Sequence, residues 1–514
     1  VSDVDELIRE VEQGPSGAKV AAFFDFDGTL IAGYSALAFF EQGIRSLQIS
    51  AGQLARSIVA SVEMNVRGTD VSKLMMIAID AWEGRAEDEL EELGERLYIQ
   101  RIAGMVYPEA RALVRAHKRK GHTVALASSA TRFQAAPLAR DLGIEDVLVT
   151  PIEVVKGVVT GRLSGPILWG EGKKNAVLEF ARKRKIALEE SYAYGNGDED
   201  VPFLEAVGRP RPLNPQSGLE RVARDRGWPV RRFSPRGRPG LEQIVRTGLA
   251  LASFPTLATV GAGVALLNGD RRLGANWTIG AGSDLLLALA GVKLNVEGEE
   301  HLWSHRPAVF IFNHQSAVDA PVVGALLRRD LTAVAKKELA RDPRMVPINF
   351  LVQPALIDRG NTQQAKKALE PVVAKLREGY SIAIAPEGTR SPTPKLGRFK
   401  KGAFHMAMQG GVPIVPIVIR NAGEIMWKGS YFIRPGTIDV EVLPPIPTDD
   451  WKMEEIGRRV DDVRRQFLEV LERWEADRAG ERVDGATSAA GRGSARGRSA
   501  TRSGRESPRP AQAR

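Results

Sequence analysis

The chain alternates short apolar runs with longer amphipathic or polar stretches. In its first part, Lys19-Val20-Ala21-Ala22-Phe23-Phe24, Val124-Ala125-Leu126-Ala127 and Tyr192-Ala193-Tyr194 have the length of buried strands. Residues 308–312, 354–357, 381–385 and 411–416 supply four more, stopped by Gly, Pro or polar residues. Such runs predict α/β folds whose sheets present their strand ends to ligands. Residues 1–18 read as a short polar helix and a Gly/Pro/Ser turn, and residues 451–474 as a closing helix. Between the two sets of strands, residues 248–267 carry no charge and residues 278–292 are apolar except for Asp284. These predict a pair of apolar helices.

Polar groups gather where the runs stop. Asn313-His314-Gln315-Ser316-Ala317-Val318-Asp319 follows one strand. His and Asp five apart do not share a helix face, so they are expected to meet at a loop or helix entry. There Asp319 holds one imidazole nitrogen and leaves the other as a general base. Taken alone, the two residues also suit unrelated surface groups. Arg359, Thr389 and Arg390 follow two further runs, and guanidinium groups match phosphate bidentately. Either Arg alone also suits a rim ion pair. In the first half, Asp25-Phe26-Asp27-Gly28-Thr29 ends a strand with two carboxylates two residues apart, a device for magnesium phosphoryl chemistry. One Asp attacks phosphorus while the other exchanges a proton with the leaving oxygen. Ser128, Lys173 and the acidic strand end 195–200 accompany them.

These four elements, in order over about residues 18–233, resemble the haloacid-dehalogenase-like phosphatases, in the subgroup related to phosphoserine phosphatase. The resemblance implies a Rossmann-like phosphatase fold with a helical cap over about residues 31–105. It makes Asp25 the nucleophile and Asp27 the acid/base, with Ser128 and Lys173 on the phosphoryl group. Mg²⁺ would sit among Asp25, Asp27, Asp200 and Asn196. Two departures stand out. Asn196 replaces the first carboxylate of the fourth motif, which leaves less negative charge for the metal. Tyr34 stands where a phosphoserine phosphatase carries a Glu, which argues against phosphoserine as substrate. The alternative is a non-catalytic module that binds phosphate or positions the rest of the chain.

Residues 293–445 resemble the glycerolipid acyltransferases, specifically the 1-acyl-glycerol-3-phosphate acyltransferases. Four ordered blocks carry the likeness: Asn313-His314 to Asp319, Ile357-Asp358-Arg359, Glu387-Gly388-Thr389-Arg390 and Val412-Pro413-Ile414-Val415-Pro416. Phe399-Lys400-Lys401-Gly402 adds a fifth point of similarity. The resemblance implies an α/β acyltransferase domain in which His314 deprotonates the hydroxyl of lysophosphatidic acid and Asp319 orients it. Glu387, Gly388, Thr389, Arg390 and Arg359 would form the acceptor site, with Arg359, Thr389 and Arg390 on the phosphate. The donor would be an acyl-CoA or acyl carrier protein thioester.

At 514 residues the chain exceeds one ordinary core. The expected division is 1–235 for the phosphatase-like domain, 236–292 for a basic linker and apolar hairpin, 293–474 for the acyltransferase domain and 475–514 for a disordered basic tail. The absence of Cys excludes disulfides and thiol nucleophiles and suits a reducing compartment. Residues 1–12 are acidic without a long apolar core, so no signal peptide is expected there. The net charge of +9 is regional: seven Arg against one Glu lie between Arg492 and Arg514. Nucleic-acid binding is not expected, because aromatic residues do not interleave the basic ones. Ten Arg between Arg209 and Arg246 instead suit anionic lipid headgroups. Pro255 and the Arg flanks argue against a single span. The expected location is therefore the cytoplasmic face of the cell membrane, monotopic or peripheral, in contact with membrane phospholipid. A soluble hairpin packed on the acyltransferase core is the alternative. The oligomeric state is not legible.

Overall fold

Five strands of the N-terminal half pair into one parallel sheet. In this computed structural model, residues 3–45, 76, 79–233, 239–336, 355–357 and 365–495 are described. The strands β1 (Ala21–Phe24), β2 (Thr123–Thr131), β3 (Asp146–Thr150), β6 (Tyr192–Gly195) and β7 (Arg209–Pro212) lie in the order β3-β2-β1-β6-β7. Both β1 and β6 are buried at every position, as their apolar runs require. The chain moves outward from β1 to β3, then returns to place β6 on the other side of β1. That reversal opens a crevice at the carboxyl ends of β1 and β6, where open α/β sheets hold ligands.

The first helix, Asp3–Gln13, looks polar in composition yet buries Val4, Leu7, Ile8 and Val11. Their spacing places all four on one face. An antiparallel hairpin of β4 (Ile152–Val155) and β5 (Val158–Leu163) was not expected. Its local signal is Lys156-Gly157, both at positive φ, the two-residue turn that matches strand twist. Within the expected cap, helices Ser35–Arg45 and Glu87–Leu97 are described, and residues 46–75 lie outside the described residues.

The C-terminal half holds a seven-stranded sheet in the order β11-β10-β12-β9-β13-β14-β8. Its strands are β8 (Val292–Glu297), β9 (Val309–Phe312), β10 (Leu331–Lys336), β11 (Ala355–Ile357), β12 (Ser381–Ile384), β13 (Ile414–Ile419) and β14 (Gly436–Val442). The apolar runs became the inner strands β9, β12 and β13. The pair β14 and β8, the sheet's last strand and its neighbour, was missed because each alternates buried with more exposed positions and so shows no continuous apolar run.

Helices Leu241–Asn268 and Arg271–Ala290 form the expected hairpin. They approach closely at Gly261 and Gly274: a Cβ on Gly261 would lie 1.9 Å from Thr278 Oγ1. Pro255 lies inside the first helix without ending it. The second helix packs on helix Asp319–Leu327, so the hairpin is seated beside the acyltransferase motif. The closing helix runs Ile456–Ala495, past Glu475, where a disordered tail was expected.

Two buried His residues tie the first helix's exit to the sheet. His117 Nε2 lies 2.8 Å from Tyr194 Oη, His117 Nδ1 2.8 Å from His122 Nδ1, and His122 Nε2 2.8 Å from Pro15 O. The carbonyl can only accept, so His122 donates from Nε2 and accepts at Nδ1 from His117; Tyr194 then donates to His117. This chain requires both rings neutral, and burial holds both pKa values below the ordinary 6.5. The unfolded chain then binds more protons, so stability is full above about pH 6.5 and falls as pH drops below it. Thermal unfolding from about pH 7.5 to about pH 5, the range over which His titrates, checks this by difference: the parental midpoint should fall relative to that of His117→Gln, a comparison that cancels the opposing contribution of Asp25 and Asp27, whose carboxyls burial holds above their ordinary values.

Candidate active sites

The crevice at β1 and β6 collects the first set of predicted residues. Asp25 follows β1 directly, its N–H donating to Tyr194 O at 2.9 Å. Lys173 Nζ, buried, donates to Asp25 Oδ1 at 2.8 Å and to Asp200 Oδ1 at 2.6 Å. Asp200 Oδ2 accepts from the N–H groups of Asn196 and Gly197 at 3.0 and 3.1 Å. Thr29 Oγ1 stands 3.2 Å from Asn196 Oδ1 and 3.5 Å from Asp25 Oδ2. Gly28, at φ +78°, passes so close to Asn196 that a Cβ would lie 2.1 Å from its amide nitrogen. Ser128 is buried in the neighbouring strand, its Oγ accepting from Ala130 N. Asp27 turns toward the cap, accepting from Ser35 N at 2.7 Å and Ser35 Oγ at 3.1 Å.

Burial sets the protonation of this cluster. It pushes Asp25 up to about 7, with Lys173 pulling down and Asp200 pushing further up. It lifts Asp27 to about 6 against the two bonds from Ser35. Burial alone would lower Lys173, but Asp200 and Asp25 carry it upward, so the ammonium stays charged. Among the described residues, no three acidic or imidazole side chains converge as a ready-made metal cluster. Asp200 is committed to Lys173 and the main chain, and Asp27 to Ser35. Asp25 Oδ2 and Asn196 Oδ1 nevertheless meet at one hydroxyl. Such a small oxygen set fits Mg²⁺, which keeps several waters and uses one or two carboxylates with substrate phosphate.

The second site sits where β9 and β12 end. Asp319 is the first residue of its helix and fully buried; its Oδ2 lies 2.8 Å from His314 Nδ1. The expected meeting at a helix entry is what the geometry contains. The same oxygen accepts from Gln315 N and Ser316 N at 2.8 Å each. Burial raises the Asp319 pKa against the pull of His314 and these N–H groups. A carboxylate accepting at Nδ1 assigns the proton there and leaves Nε2 of His314 as the basic nitrogen, on a side chain 27% exposed.

Glu387 departs from its expected place in the acceptor site. Its two oxygens accept from His314 N at 2.8 Å and Gly397 N at 2.7 Å, so this buried carboxylate fixes two loops. Gly388 and Thr389 are exposed beside it, with Lys400 Nζ 2.7 Å from where a Gly388 Cβ would stand. Arg390 is half-buried, and the next residue, Ser391, donates its N–H to His314 O at 2.7 Å. Arg359 lies outside the described residues.

Residues 22–205 match the haloacid dehalogenase-like hydrolase family, and residues 293–420 match the acyltransferase family. A phosphoserine phosphatase of Mycobacterium tuberculosis is 34% identical over 254 residues, covering 48% of this chain and 82% of that protein. A 1-acyl-sn-glycerol-3-phosphate acyltransferase of Saccharomyces cerevisiae is 33% identical over 230 residues, 43% of this chain and 74% of that protein. The chain belongs to both families, as a fusion. Among solved structures, the 1-acyl-sn-glycerophosphate acyltransferase of Thermotoga maritima is 25% identical, with a TM-score of 0.36. That alignment covers 45% of this chain and 99% of that one.

Several residues around the hydrolase and acyltransferase centres escaped sequence reasoning. Thr29 lies within a quoted motif, so its position was available. Ser35 had no signal, because its bond to Asp27 depends on how the cap enters. Asn313 is buried and exchanges two bonds with Ile419 at 2.7 Å, locking β9 to β13 ahead of His314.

In the hydrolase half, Lys173→Ala should leave Asp25 and Asp200 buried without their counter-charge. Denaturant unfolding should then report a loss of about 3–5 kcal/mol, as for one partner removed from a buried pair.

Proposed function

We propose that the C-terminal half transfers an acyl chain from a thioester to the free hydroxyl of 1-acyl-glycerol-3-phosphate, giving phosphatidic acid. The observation that carries this is the His314 Nδ1–Asp319 Oδ2 contact at 2.8 Å, with Nε2 left as base. Nε2 takes the hydroxyl proton as the oxygen attacks the thioester carbon. The C–O bond forms, the C–S bond breaks, and the imidazolium returns its proton to the thiolate. Arg390 and Thr389, with Arg359, hold the acceptor phosphate.

The N-terminal half is read as a Mg²⁺-dependent phosphomonoesterase. Asp25 forms the bond to phosphorus as the P–O bond to the leaving oxygen breaks; Asp27, its proton affinity lifted by burial, protonates that oxygen and then takes a proton from the water that hydrolyses the aspartyl phosphate, freeing phosphate and Asp25. Lys173 and Ser128 hold the phosphoryl oxygens. Mg²⁺, held by Asp25 and Asn196, would neutralise charge on the transferring group. Asn196 is the one feature favouring a non-catalytic module instead.

One pair of substitutions separates the activities. His314→Ala should reduce acyl transfer by roughly 10²–10⁴ and leave phosphate release unchanged. Asp25→Asn should do the reverse. Near-parental acyl transfer by folded His314→Ala would sink the base assignment. An unmodified chain that turns over no phosphomonoester would establish the non-catalytic reading.

The site is read as lying on one membrane face, the cytoplasmic one. Among the described residues, Leu241–Asn268 is the one helix long and apolar enough to cross a membrane. Both helices of the hairpin are nonetheless tied to the acyltransferase body. Thr247 Oγ1 accepts from Ile433 N at 3.0 Å, and Arg272 Nε donates to Asp330 at 2.5 Å. Between these ties Leu266 and Leu267 are 73% and 89% exposed, which suits insertion into one leaflet. Replacing both by Glu should weaken binding to anionic vesicles at least about tenfold, since each buried Leu is worth about 1.5–3 kcal/mol. Vesicle flotation of the full chain reads the outcome.

A further inference from the structure

The two halves meet tightly where the hydrolase chain returns from its cap. The turn Ala103–Met105 carries Gly104, buried and without the positive φ that would itself call for glycine. A Cβ there would lie 2.6 Å from Trp427 Cδ1 and 2.8 Å from Lys428 O of the acyltransferase half. The missing side chain therefore serves the contact and not the backbone. An indole ring and a main-chain carbonyl are packed groups that do not yield as the end of a flexible side chain would. The same turn is knit to the chain that enters the cap. Met105 O accepts from Ala32 N at 2.9 Å, and Tyr107 N donates to Leu30 O at 3.0 Å. A Cβ on Gly33 would meet Met105 Cε at 2.6 Å, so the two cap linkers and Gly104 form one packed piece.

On the other side of this contact, residues 426–428 grip the acyl-transfer centre at two points. Ser316 Oγ donates to Met426 O at 2.6 Å, and the N–H of the same buried residue donates to Asp319 Oδ2 at 2.8 Å. Lys428 Nζ donates to Arg390 O at 3.2 Å, and the neighbouring Ser391 N donates to His314 O at 2.7 Å. Trp427 stands between the two grips. Its ring is covered by Arg434 at 4.6 Å and rests at Cδ1 against Gly104.

We propose that Gly104 and Trp427 form a joint through which the hydrolase half positions the acyl-transfer loops. Trp427 is then a positioning residue for His314 and Arg390. Displacing the indole moves Met426 O and Lys428 together. With them go the loop that Asp319 organises and the loop that carries Arg390. Misplacing reacting groups by an ångström costs on the order of 10²-fold in rate. The joint gives the hydrolase half a part in acyl transfer that needs none of its own chemistry. It stands whether or not Asp25 turns over a phosphate ester, and its effect on rate rests on the acyl-transfer reading.

Hydrogen exchange and kinetics on the full chain test the joint together. In Gly104→Ala and, from the other side, Trp427→Ala, the amides of Gln315 and Ser316 should exchange at least about tenfold faster. Mass spectrometry of the peptide 313–319 reads this, with β12 as the reference that should stay within about twofold. The kcat of acyl transfer should fall about 10- to 100-fold in both variants, with each apparent KM within about threefold. Trp427→Phe keeps a ring against Gly104 and should stay within about threefold of the parental kcat. The losses should not multiply in the Gly104→Ala/Trp427→Ala double variant, because both single changes act on one contact. Parental exchange at 313–319 in both single variants overturns the joint, whatever the rate. Faster exchange with parental kcat overturns it too, as do losses that multiply. Equal quickening throughout β12 makes the contact one of stability alone and overturns positioning. Faster exchange confined to 313–319, in a chain that transfers no acyl group, supports the joint and sinks the acyl-transfer reading instead.

Discussion

Asp319 Oδ2 takes three donors at 2.8 Å: the His314 ring, Gln315 N and Ser316 N. The loop between β9 and its helix closes around that oxygen, the ring is turned by it, and the tautomer follows from it. The carboxylate sits at a helix start, where the partial positive charge of unpaired N–H groups favours an anion. Glu387 repeats the device one loop away, holding His314 N and Gly397 N. Two buried carboxylates thereby use backbone N–H groups to hold the imidazole at the sheet's edge.

The hydrolase half meets a different requirement. Asp25 is a carboxylate buried in a crevice, and the neighbouring carboxylates raise the cost of charging it. Lys173 offsets that cost by bridging Asp25 and Asp200, and Asp200 in turn anchors the main chain at Asn196 and Gly197. Thr29 draws Asn196 and Asp25 together, so the amide occupies the carboxylate's place without adding charge.

Both centres lie at the carboxyl edge of parallel strands, because those edges gather loops and helix starts in one place. The halves also touch. Lys395 Nζ donates to Arg140 O at 3.2 Å, and Arg115 meets Glu475 of the last helix. The apolar hairpin packs on the helix that begins at Asp319, so the hairpin and the His314–Asp319 pair share one support.

The sequence by itself determined the two α/β sheets, the apolar hairpin and most of the chemistry. Runs such as 308–312 and the Asp25-to-Thr29 and Asn313-to-Asp319 motifs are local, and local order carries strand period and residue type. The spacing of His314 and Asp319 even foretold a meeting at a helix entry. Strands β8 and β14 were illegible because half-exposed strands lack a continuous apolar run. Only the tertiary structure turned Glu387 inward to main-chain donors, sent Asp27 to Ser35, and aligned Tyr194, His117 and His122. It alone set Gly104 of the hydrolase against Trp427 and Lys428 of the acyltransferase. Each of those contacts joins residues whose partner is chosen by packing, and no local pattern encodes which distant backbone group a buried carboxylate or ring will reach.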